Sequence, residues 1–127
     1  MTVLQGDDLH LQQRSTIGET LARQPGVSST FFGPNASRPI LRGLGGDRIR
    51  VLTDGIGSFD VSNTSPDHGV TVEPIILDRV EVLRGPAVLL FGGQAVGGAV
   101  NAIDKRIPRE VPEEPFHLDA LATYGSA

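Results

Sequence analysis

The chain has 127 residues, enough for one modest core, and carries 11 basic against 15 acidic side chains for a net charge of −4. A weakly acidic chain without a block of Lys or Arg excludes a nucleic-acid partner captured by a basic field. With no cysteine, no Trp and only 5% aromatic residues, the core must be aliphatic, and no stretch nears the ~20 apolar residues of a spanning helix.

The 16 glycines and 9 prolines call for many turns and short elements. Lys105 is the sole lysine, so almost all positive charge is guanidinium, the group suited to bidentate pairing with carboxylates. The start, Met1-Thr-Val-Leu-Gln, shows neither the basic residue nor the apolar run of a secretory leader. Residues 2–5 read as a short edge strand, followed by a polar, loosely helical segment through Arg14. Thr16-Ile-Gly-Glu19 has capping-box spacing, and Ile17 with Leu21 gives the next helix an apolar stripe that Pro25-Gly26 stops. Residues 27–32 and 40–44 are strand candidates around a Gly/Pro/Asn loop, and Gly45-Gly-Asp47 is a turn signal.

The clearest strand is expected over residues 48–56, with Ile49 and Val51 on one face and Arg48 and Arg50 on the other. Residues 57–70 form a loop too long for a mere connector, the kind that carries binding function. Glu73-Pro-Ile-Ile-Leu77 leads as a helical turn into a strand in which Val80 and Val82 alternate with Arg79, Glu81 and Leu83. Gly85-Pro86 stops that strand, residues 87–91 supply about a turn and a half of helix, and Gly92-Gly93 ends it. Gly97-Gly98 lets two backbones pack closely before residues 99–103 extend again. Residues 109–115 read as an extended linker, and 117–125 alternate weakly.

Two of these stretches, in order, resemble the plug domain of TonB-dependent outer-membrane receptors. One is Glu81-Val-Leu-Arg-Gly-Pro86 with Leu90-Phe-Gly and Gly97-Gly-Ala-Val-Asn101. The other is Arg42-Gly43, Gly46, Arg48, Val51-Leu52 and Asp54-Gly55, preceded by a helix ending in Pro25-Gly-Val27. The resemblance implies an α+β fold: a small mixed four-stranded sheet, two or three short helices and long loops. It assigns residues 1–108 to the plug and 109–127 to a linker and the start of the first barrel strand, with leader, coupling box and barrel outside this stretch. It places the domain at the bacterial outer membrane, soluble when isolated, as the gate of a barrel of about 22 strands. Its expected partners are that barrel, the inner-membrane energy protein TonB, and a transported metal or metal chelate. Gly43, Gly85, Gly92, Gly97 and Gly98 fall on the family's structural glycines, and Arg42 and Arg84 on the arginines that pair with barrel glutamates. For Arg84 an internal pair with Glu81 or another acid is the competing expectation.

No phosphate-binding glycine loop, serine elbow or cysteine nucleophile is present, and the histidines at 10, 68 and 117 are scattered, so no enzyme is expected. Ser65-Pro-Asp-His68 sets a carboxylate beside an imidazole, both ligand types for zinc, although a site needs three or four ligands and Pro-Asp-His-Gly is also ordinary turn chemistry. Residues 60–68 with Val72-Glu-Pro74 resemble the zinc-uptake branch, which makes Asp67 and His68 the plug's share of a zinc site completed by barrel loops. Zinc is then a transported ligand, and no resident cofactor is required. The rival is a free-standing periplasmic binding module, either a standalone plug homologue or a metal buffer, which needs a complete ligand set of its own.

Overall fold

The computed structural model describes residues 1–33, 35–57, 68–108, 110–122 and 124. Among the described residues seven strands and two helices follow one another: β1 (Thr2–Gln5), α1 (Gly6–Gln12), α2 (Ile17–Leu21), β2 (Val27–Ser29), β3 (Pro39–Leu41), β4 (Ile49–Thr53), β5 (Ile56–Gly57), β6 (Leu77–Leu83) and β7 (Gly98–Asp104). Single 3₁₀ turns at Gly46–Arg48, Pro74–Ile76 and Ala95–Gly97, and a longer one at Pro86–Phe91, fill the corners.

Five strands form a mixed sheet in the order β1-β6-β7-β4-β5, and β2 and β3 form a separate hairpin. Neighbours are antiparallel except β4 and β7, which run parallel from Ile49 opposite Gly98 to Thr53 opposite Ala102. The α+β class is as expected. The sheet has a fifth strand because Asp54-Gly55, with φ of 52° and 82°, turns the chain back and pairs Ile56 with Thr53. Two positive φ values in a two-residue loop match the twist of the strands that flank it.

The central strands use both faces. Val80, Val82, Val100, Ala102, Ile49 and Val51 meet Leu9 of α1, Ile17 and Leu21 of α2, and Val27 and Leu41 of the hairpin in the main core. On the opposite face Leu52 and Ala99 pack with Val88 and Ala95, flanked by Leu83 and Phe91. β4 therefore has Leu52 buried alongside Ile49 and Val51, which a one-faced alternation does not anticipate. Each such side chain contributes about 1.5–3 kcal/mol by leaving water.

The capping box forms on its Thr16 side: the Thr16 hydroxyl accepts from the Glu19 backbone N–H at 3.3 Å and lies against the Ser37 hydroxyl of the neighbouring loop. The Glu19 carboxylate takes the Ser15 hydroxyl instead, at 3.3 Å. Gly18 permits this seat, since a Cβ there would come within 2.8 Å of the Arg38 backbone. β2 ends at Ser29, short of the expected residue 32, because Thr30 and Phe32 donate to Arg38 and Ala36 across a bent loop. Residues 110–122 are exposed and carry no strand. An exposed ion pair, Lys105 to Asp119 at 3.3 Å, touches them to the domain.

Candidate functional site

The two Arg-Gly dipeptides, far apart in sequence, meet at one turn. After α2 the chain closes through Gln24 and Pro25, with Gly26 at a φ of 72°. The Gly26 carbonyl accepts the Arg42 backbone N–H at 2.8 Å. The adjacent Pro25 carbonyl accepts from the Arg84 guanidinium at 2.7 Å, and a second Arg84 nitrogen lies 3.4 Å from the Thr2 hydroxyl of β1. A Cβ on Gly26 would sit 3.8 Å from the Arg42 side chain and 3.9 Å from the Arg84 guanidinium, so this turn touches both arginines.

Arg84 does not pair with Glu81. The Glu81 carboxylate accepts from Arg79 at 2.9 Å and from Asn101 at 3.4 Å. Residues 79 and 81 share a face of β6, whereas Arg84 lies just past the end of the strand and is bound to Pro25 and Thr2. Among the described residues neither Arg42 nor Arg84 forms an ion pair, and Arg84 Nε is buried without a hydrogen-bond acceptor.

The glycines fix these corners. Arg42 and Gly43, at φ of 51° and 78°, form a two-residue turn closed by reciprocal backbone bonds between Leu41 and Leu44, both 2.9 Å. Gly85 has φ 85° and ψ −165°, a region open essentially to glycine alone. Gly92 ends the Pro86–Phe91 turn at φ 104°. Beneath them, a Cβ on Gly97 would come within 2.9 Å of Leu44 Cβ and 3.0 Å of the Arg48 carbonyl. One on Gly98 would come within 2.9 Å of the Leu83 carbonyl and 2.6 Å of the Leu41 side chain.

Of the expected metal pair, Asp67 lies outside the described residues, as does Asp60. His68 is exposed, and Gly69 after it packs on the Asn35 backbone. No group of three or more His, Asp or Glu side chains is close enough to hold a metal among the described residues.

The family model of the TonB-dependent receptor plug domain matches residues 1–99. The chain belongs to that family. A hemin receptor of Yersinia pestis is 31% identical over 101 residues, covering 79% of the chain and 15% of the receptor. The ferric citrate transporter FecA superposes with a TM-score of 0.69 at 30% identity, over 86% of the chain and 18% of its own length. The siderophore receptor PirA of Pseudomonas aeruginosa gives 0.60 at 32% identity, over 83% and 18%. The chain thus spans under a fifth of each relative. The named relatives are receptors and transporters, not enzymes, and the family is an outer-membrane one in which the plug lies inside the barrel.

Within this plug, Asn101 has a role that the sequence motif does not reveal. Its side-chain oxygen accepts the Gly55 N–H at 2.9 Å while its amide reaches Glu81, tying β6, β7 and the β4–β5 turn together. Asp54 completes the staple, donating to the Ala102 carbonyl at 2.9 Å and accepting from the Asp104 N–H at 3.3 Å. The Asp104 side chain is only 2% exposed, and Arg106 grips it at 2.6 and 2.5 Å. That guanidinium hydrogen bond holds the Asp104 carboxyl below its ordinary value of 3.8, against the opposing pull of desolvation. No described helix is long and apolar enough to cross a membrane.

Proposed function

We propose that this domain is the gate of a TonB-dependent transporter that takes up a metal chelate. Residues 1–108 are the plug, and 109–127 are the linker and the opening of the first barrel strand. Arg42 and Arg84 face two glutamates of the surrounding barrel. The observation that carries this reading is their convergence: the Arg84 guanidinium and the Arg42 backbone are held at one turn, and neither arginine has a carboxylate partner among the described residues. Bidentate pairs in a water-poor lumen are strong enough to hold the plug, yet another acceptor can take each cation when the plug moves. TonB, pulling on the chain ahead of β1, supplies the work.

The relatives named above bind hemin, ferric citrate or siderophores, which favours an iron chelate as cargo. In the receptor, alanine at Arg42 and Arg84 should abolish energised uptake of a ferric siderophore while leaving binding intact. Wild-type uptake by the double variant would overturn the lock.

Zinc is the second reading, carried by the exposed His68 beside Asp67 in sequence. If zinc is the cargo, His68→Ala lowers zinc uptake by the receptor; unaltered uptake leaves the Pro-Asp-His-Gly turn as its whole role. A free-standing binding module has no observation in its favour, since its ligand set is incomplete among the described residues.

A further inference from the structure

The geometry points to the Pro25–Gly26 turn as a clasp that makes the two lock arginines one unit and ties that unit to the first strand. Two neighbouring carbonyls do the holding. Pro25 takes the Arg84 guanidinium and Gly26 takes the Arg42 backbone N–H. Arg84 in turn reaches Thr2, the first residue of β1, an edge strand bound to the sheet on one side by β6. Thr2 opposite Val82 is the end of the β1–β6 ladder nearest Arg84.

Thr2, Pro25 and Gly26 are therefore positioning residues for both arginines. When β1 is drawn away at its start, Arg84 loses the Thr2 hydroxyl, its grip on Pro25 slackens, and the turn that holds Arg42 moves with it. A displacement at the chain's beginning thus reaches the Arg42 corner of the hairpin without passing through the core. The left-handed conformation of Arg42 suits it to this relay, because the clasp holds its backbone while its side chain stays exposed. The relay rests on the lock reading for its purpose, but its existence can be tested apart from any barrel.

The test is amide hydrogen exchange on the 127-residue chain, read at Arg42 and in β1, with Val100 of the central strand as internal reference. Arg84→Met keeps the stem and removes the charged donor. It should speed exchange at the Arg42 amide about 10-fold or more, the equivalent of one lost charged hydrogen bond, with Val100 unchanged. Thr2→Val, a smaller change that leaves the fold intact, should shift β1 and the Arg42 amide together. Equal acceleration at Val100 and Arg42 would mean general loosening and would overturn the clasp. So would a Thr2→Val effect confined to β1. Exchange as expected combined with normal uptake by the Arg42/Arg84 receptor variant would refute the lock and leave the clasp standing.

Discussion

The same dipeptide, Arg-Gly, is bent in two ways. At 42–43 both residues are left-handed and make a closed turn just after β3; at 84–85 the arginine follows the end of β6 and glycine alone takes the unusual conformation. The side chains differ as well: Arg42 is held by its backbone, Arg84 by its guanidinium. Local conformation is therefore not what the two motifs share. They share a destination, the Pro25–Gly26 turn, and a seat, since the leucine before each arginine touches Gly98.

That shared seat gives the largest expected effect. Gly98→Ala adds strain at a φ of 136° and a Cβ within 2.9 Å of the Leu83 carbonyl. It should lower stability by about 3 kcal/mol in urea unfolding, displacing both corners. If it cost no more than an exposed substitution, the two corners would not rest on a common base. Gly85→Ala should cost about 2 kcal/mol, because the ε region is closed to other residues. Gly43→Ala should cost about 1 kcal/mol, as a left-handed alanine usually does. No Cβ clash confuses that pair, so equal losses would erase the backbone difference between the corners.

Thr16→Ala should remove about 1 kcal/mol by uncapping α2, and amide exchange should rise at Arg42 more than at the β6 end of the Arg84 corner. The smallest effect concerns the opposite end of β7. Because Arg106 depresses the Asp104 pKa, the pair stabilises the fold above the carboxyl's unfolded value and the contribution is lost as pH falls below about 3.8 toward the folded value. Arg106→Gln should flatten that acid limb by removing the pair's contribution at neutral pH, leaving stability at the acid end, and both arginine corners, nearly unchanged.

What the sequence showed was whatever depends on near neighbours. The Val80–Val82 alternation, the turn at Pro74 and the close packing of Gly97-Gly98 are present as read, and the Thr16 capping box is present in its Thr16 half. Arg42 and Arg84 were legible as a pair only through family resemblance. Their meeting at Pro25–Gly26 depends on strand directions that no local pattern encodes, and so does the parallel match of β4 with β7. Glu81 looked like the natural partner of Arg84 from proximity alone; strand alternation gives it to Arg79. Leu52 reads as the solvent side of β4, and its burial needs the Pro86–Phe91 turn to fold back over the sheet.

The centre of the sheet is also the last part of it to be synthesised. β7 joins β6 on one side and β4 on the other, so neither half of the sheet is complete until residue 104 has been made. Two of the ladders close loops of dozens of residues: Ile49 of β4 pairs with Gly98 of β7, and Thr2 of β1 pairs with Val82 of β6. Such high contact order makes folding slow, since the entropy of closing each loop is lost before the ladder can offset it. A chain that stops short of Gly98 should therefore hold a capped α2 and a hairpin, but β4 and β6 would be left with no strand between them.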